Sequence, residues 1–145
     1  MANDPIVFTL SSDLKINYNL AINIRKDIIM ATKNINNPNQ LNNILCYPYI
    51  FRAALDTRCL KINDDMKLSA IKALSNLAKE NVPEYIKLIY NSNLKFNREY
   101  LIPKPRDNRL ITYITLKIVK SAISSKVNIK DFKKYKSRLI NKIKK

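Results

Sequence analysis

Three small groups of residues in this sequence are of types that do chemistry. Asp64-Asp65 sets two carboxylates side by side, the donor type that a hard divalent cation takes. Asn42-Asn43 sets two amides side by side, and each can donate and accept without adding charge. Cys46 and Cys59 are the only two thiols. Each group also has a plainer reading. Asp64-Asp65 falls where a helix begins, and acids there suit the positive end of the helix dipole, so capping is preferred to metal binding. Asn42-Asn43 would cap a following helix equally well. The 13-residue spacing of the cysteines matches no metal or redox motif. They read as reduced, mostly buried thiols in a cytoplasm.

Composition removes whole classes of mechanism. There is no His, so a histidine base, a Ser-His-Asp triad and a His metal ligand are all excluded. There is no Gly among 145 residues, where average usage of about 7% predicts roughly ten. A phosphate-cradling turn of the Rossmann or Walker type needs residues without a Cβ, so none is intact here. The opening residues lack the basic and apolar regions of a signal peptide, and no run is long enough to span a membrane.

Lys and Arg number 27 against 11 Asp and Glu, a formal charge of +16. Lys, Ile and Asn, all with AT-rich codons, number 20, 21 and 19. Base composition therefore accounts for much of the charge. Residues 130–145 carry eight basic residues against Asp131 on an amphipathic pattern. Such a helix can bind nucleic acid or an anionic surface. No nucleic-acid motif accompanies it, and Phe132 and Tyr135 fall on the apolar face, so a solvated face is the favoured reading.

The elements that must position these residues follow from pattern. Residues 5–10 form an apolar, β-branched run that predicts a buried strand, with Ser11-Ser12-Asp13 as turn or cap. Residues 18–26 have helical spacing, and 27–31 predict a second strand. Strand–helix–strand is half of a parallel α/β pattern. Residues 33–41 are polar and Asn-rich with Pro38, which predicts a loop. Pro48 suits the first turn of a helix reaching about Cys59. Asn63-Asp64 caps a further helix that ends before Pro83, and residues 84–90 predict a short one. Residues 101–109 hold two prolines and read as extended. Two last helices follow at 110–123 and 130–145. Two parallel strands cannot cover their own faces and edges, so the pattern reads as the end of a larger α/β domain.

The residues 38–58, PNQLNNILCYPYIFRAALDTR, resemble the PNQxNNxxGFPxIFRGALDxRA segment of bacterial malic enzymes. MANDPIVFTL resembles that family's DPIVFALANP strand. INDDMKLSAIKALSNLA resembles its next helix, and LIPKPRDNRLITYITLKIVKSAI its IIPKPFDxRLI segment and terminal helix. The likeness is collinear over nearly the whole chain. It implies an incomplete Rossmann-type α/β domain of two short parallel strands followed mostly by helices. It implies that residues 1–145 are the C-terminal portion of an NAD(P)-binding domain, with strand–helix–strand, Asn loop and helix in 1–62 and the C-terminal helices in 63–145.

The resemblance also implies an activity, the oxidative decarboxylation of malate to pyruvate with NAD or NADP and Mg or Mn in the cytoplasm. The family's acid/base pair, metal ligands and Gly-rich turn all lie upstream of the segment matched, so a chain of this extent is not catalytic by itself. Its partner would be the missing N-terminal portion or a further copy in a homo-oligomer. Asn42 and Asn43 match the family's pair in the malate and nicotinamide pocket. A third pocket asparagine falls near Ser12, whose shorter hydroxyl lacks the two-donor head. Family glycines are replaced at Lys33, Cys46 and Ala53. A left-handed backbone at Lys33 would cost stability, whereas alanine within a helix is tolerated. Arg52, Asp56 and Arg58 read as ion-pairing residues, and Tyr47, Tyr49 and Phe51 as core or interface aromatics. Apolar faces meant for absent strands predict aggregation or molten behaviour of the isolated chain.

Overall fold

The computed structural model describes residues 2–10, 17–124 and 132–143, with side chains as far as 141. Strand β1 is Ile6–Thr9, helix α1 is Tyr18–Ile24, strand β2 is Ile29–Thr32 and strand β3 is Asn39–Gln40. A 3-10 turn at Asn43–Leu45 leads into α2, Tyr47–Thr57. Then come α3 (Asp64–Lys79), α4 (Glu84–Ile89), α5 (Arg109–Ser124) and α6 (Phe132–Ile143).

Local chemistry sets most of these boundaries. The Asn17 side-chain oxygen accepts from the Leu20 N–H at 2.8 Å and caps α1. The Asn63 side chain does the same for Met66 at the head of α3, at 2.9 Å. Asp64 and Asp65 occupy the first turn of α3, as their capping reading expects. Asp107 accepts from the Arg109 N–H at 3.0 Å and also grips the Arg109 guanidinium, so α5 starts from a fully buried carboxylate. Pro48 stands in the first turn of α2, where its missing N–H costs no bond.

The chain divides into two compact units. One comprises Met1–Asn42 with Ala78–Lys104, the other Asn43–Leu77 with Pro105–Lys145. The first unit holds a parallel sheet in the order β1-β2-β3. The sheet has three strands, one more than the pattern predicts. Asn39 and Gln40 lie opposite Ala31 and Thr32 and extend the ladder by two residues. Asparagine and glutamine carry no strand propensity, so pairing with β2 decides their conformation. A small core of Val82, Ile86 and Tyr100 lies in the same unit, with Tyr90 and Leu94 packed on it.

In the second unit α2 packs on α5, and α6 packs on α5. The buried stripe of α5 is Leu110, Ile114, Ile118, Val119 and Ala122, helical spacing throughout. Each large aliphatic side chain so buried stabilises by about 1.5–3 kcal/mol. Ala53 is completely buried on α2, where a larger side chain would hold α5 away.

Candidate functional site

The two amides singled out by the sequence are both exposed. Asn42 follows β3 and closes its segment of the first unit. Asn43 opens the 3-10 turn of the second, and its carbonyl accepts from the Cys46 N–H at 3.2 Å. Ser12 lies outside the described residues.

The neighbouring Asn39 does something quite different. It is 2% exposed. Its amide donates to the Arg98 carbonyl at 2.7 Å and the Met30 carbonyl at 3.4 Å. Its oxygen accepts from the Leu101 N–H at 2.8 Å. A buried amide satisfied in this way fastens β2 and β3 to the 98–101 segment. Arg98 adds a second tie by donating to the Asp27 carbonyl and to the Asp4 carboxylate.

Lys104 is the third tie in this unit. Its ammonium donates to the Pro38 carbonyl at 2.8 Å and lies 5.4 Å from the centre of the Tyr90 ring. Burial lowers its pKa. Neither Asn39 nor Lys104 stands out from the sequence as a hub, because their hydrogen-bond partners are backbone groups that carry no sequence signal.

The remaining candidates resolve simply. Arg52 pairs with Asp56 one turn on at 2.7 Å, and the Tyr135 hydroxyl of α6 donates to the same carboxylate at 2.6 Å. Tyr47 and Phe51 are exposed, with ring centres 4.6 Å apart. Cys46 and Cys59 are free thiols, each partly buried. Burial raises the Cys46 pKa, which keeps it protonated and unreactive at neutral pH. Among the described residues no three of His, Cys, Asp or Glu come together as metal ligands. Among them, too, no helix is long and apolar enough to cross a membrane.

No family model matches the chain. Whole-chain comparison is decisive instead. The NADP-dependent malic enzyme of Halomonas elongata is 43% identical over 129 residues, covering 88% of this chain and 31% of that protein. The NADP-dependent malic enzyme of Rhizobium meliloti is 43% identical over 144 residues, covering 96% of this chain and 19% of that protein. Over nearly its whole length the chain matches a part of malic enzymes. It spans about a fifth to a third of the length of these curated relatives. The crystal structure of malic enzyme from Pyrococcus horikoshii superposes with a TM-score of 0.73 at 28% identity, covering 97% of this chain and 30% of that one. The Entamoeba histolytica malic enzyme structure shares the fold with a TM-score of 0.78 at 23% identity.

The lost malic-enzyme glycines are structurally harmless here. Lys33 is not among the positive-φ residues, so the left-handed penalty does not arise. Cys46 has φ −135° and Ala53 is inside α2, both open to any residue with a Cβ. Among the described residues the left-handed positions are Asp4, Arg58 and Asn91, at φ 51°, 50° and 46°. Asp and Asn tolerate that region; Arg58, which ends α2, bears the greater strain.

Proposed function

We propose that this chain supplies the C-terminal part of a malic-enzyme NAD(P)-binding domain and is not catalytic by itself. One observation carries the reading. Within the described residues β1 is paired on one side only, and Ile6, Phe8 and Leu10 on one of its faces are 66%, 59% and 66% exposed. Parallel sheets are stable with both faces covered and their edges paired. The missing edge partner and face cover are what upstream strands and helices of the domain would provide, whether from the same polypeptide or from a separate chain.

Within such an assembly Asn42 and Asn43 would serve the malate and nicotinamide pocket. Both residues lie at the surface. A side-chain N–H donated to the malate carboxylate orients the substrate, and the amide oxygen accepts from a carboxamide or hydroxyl. NAD or NADP would accept the hydride, and Mg or Mn would polarise the substrate. On this reading the metal and the nucleotide pyrophosphate would be held by the upstream residues to which the family resemblance assigns them. The test is complementation. The purified chain alone turns over no malate, and mixing with the upstream portion of a malic enzyme restores NAD(P)H formation with malate and Mn²⁺. Turnover by the chain alone would overturn the reading. So would failure of a soluble upstream portion to gain activity.

The second reading, a small basic protein for nucleic acid or anionic surfaces, rests on α6. Lys133, Lys136 and Arg138 are exposed there. Salt-dependent retention on DNA, lost in a variant with these three changed to glutamine, would favour it.

A further inference from the structure

A cavity of about 140 Å³ opens beyond the carboxyl end of β2, within the first unit. Parallel α/β sheets place ligands at this end of their strands. It is lined by Asn17, Tyr18 and Asn19 at the start of α1, Thr32 at the end of β2, and Asn34, Asn36 and Asn37 in the loop that follows. Among the described residues no charged one lines it. None of its residues is among those carried over from the malic-enzyme resemblance.

The hydrogen bonding of this wall is one-sided. The Asn17 oxygen is engaged by the Leu20 N–H. The Asn34 oxygen accepts from the Asn36 N–H at 3.0 Å, and the Asn37 oxygen from the Asn39 N–H at 2.9 Å. The Thr32 hydroxyl oxygen accepts from the Asn34 N–H at 3.0 Å. Four side-chain oxygens are thus committed to backbone donors. What they leave toward a ligand is three amide NH₂ groups and one O–H, all donors.

Asn37 makes this more than a polar loop. It is only 4% exposed, and its Nδ2 has no hydrogen-bond partner among the described residues. Its orientation follows from the bond that its oxygen accepts from Asn39. A buried donor left unmade costs about 1–3 kcal/mol, so it is retained against a stability gradient unless something accepts from it. Glu99 accepts the hydrogen bond of the Tyr18 hydroxyl at 2.8 Å and is not among the described residues lining the cavity.

We propose that this cavity binds one small oxyanion, a carboxylate or a phosphate group, through neutral donors led by Asn37 Nδ2. Donors in excess, with no carboxylate among the described lining residues, select an acceptor-rich ligand over a cation. The net charge of +16 draws anions toward the protein and supplies the long-range attraction that the neutral wall lacks. The cavity has room for a group of this size or for a few waters. The proposal does not depend on the enzymatic reading, since Asn42 and Asn43 take no part in it.

Equilibrium dialysis of the whole chain tests it, with labelled inorganic phosphate and labelled acetate as probes, at constant ionic strength in sodium chloride. The expected result is one saturable site per chain for at least one anion. Asn37→Asp keeps the oxygen that accepts from Asn39 and replaces the donor with a second acceptor, so it should weaken that site about tenfold or more. Asn34→Asp, at an exposed position, should weaken it in the same direction and covers the case where a buried aspartate unfolds the loop. Phosphate without acetate identifies a phosphate group, and the reverse a carboxylate. Absence of saturable binding of either anion overturns the proposal. So does saturable binding that survives both substitutions, which would place the anion on the lysines.

Discussion

Asn39 reaches across 59 residues of sequence to donate to the Arg98 carbonyl at 2.7 Å, and this bond holds a two-residue strand in a sheet. Asn39→Ala would leave the Arg98 carbonyl and the Leu101 N–H without their partner. Each such group costs about 1–3 kcal/mol when buried, and partial access to water reduces that. A loss of about 2–3 kcal/mol is expected from thermal unfolding at low protein concentration. A loss below about 0.5 kcal/mol, the range of ordinary surface substitutions, would show that the tie is dispensable.

Arg58 gives a prediction of opposite sign. It holds φ 50° and ψ 37° at the end of α2, where its N–H donates to the Ala54 and Leu55 carbonyls. A left-handed backbone costs a non-glycine residue about 1–2 kcal/mol, less for asparagine. Arg58→Gly should therefore stabilise the second unit by about 1 kcal/mol, after the entropy that glycine adds to the unfolded chain. Arg58→Asn should capture part of that gain. A lower melting temperature in both would show that the arginine side chain contributes more than its backbone costs.

Two tyrosines predict the alkaline behaviour. Burial, then the bond to Glu99, pushes Tyr18 up to about 12. Burial, then Asp56, likewise holds Tyr135 well above its ordinary value. A raised pKa means that the folded state keeps a proton that the unfolded state gives up. The stability so contributed is complete below the unfolded tyrosine value of about 10 and is lost as pH climbs through the folded value. For Tyr18 the window is about pH 10 to 12. A near-ultraviolet absorbance titration should show late-ionising tyrosines, and Tyr18→Phe and Tyr135→Phe should each remove one. Normal ionisation of all eight tyrosines would refute both environments.

The open side of β1 predicts self-association. Ile6 and Phe8 are large, apolar and exposed beside an unpaired edge. The isolated chain should sediment as a concentration-dependent mixture, and Ile6→Lys with Phe8→Lys should shift it toward monomer. The same pair of changes should abolish complementation by the upstream portion. Monomeric behaviour of the unaltered chain across the concentration range would contradict the exposed-edge account.

The sequence by itself determined the helices and the family. Apolar residues at helical spacing, the capping Asn63 and Pro48 in a first turn are local features, and local features write themselves into sequence. The collinear motifs from residue 38 to 58 did the same for ancestry. The tertiary structure alone decided the third strand, the hub role of Asn39 and the donor-lined cavity around Asn37. All three depend on bonds to backbone groups distant in the chain or on side chains gathered from separate segments. One asparagine looks like another in a sequence that has 19 of them, and only burial and partner geometry distinguish the exposed Asn42 from the buried Asn39. The family resemblance likewise suggested strain at Lys33, yet among the described residues the left-handed backbone falls at Asp4, Arg58 and Asn91. Backbone dihedrals are settled by the whole chain's packing, which no composition count contains.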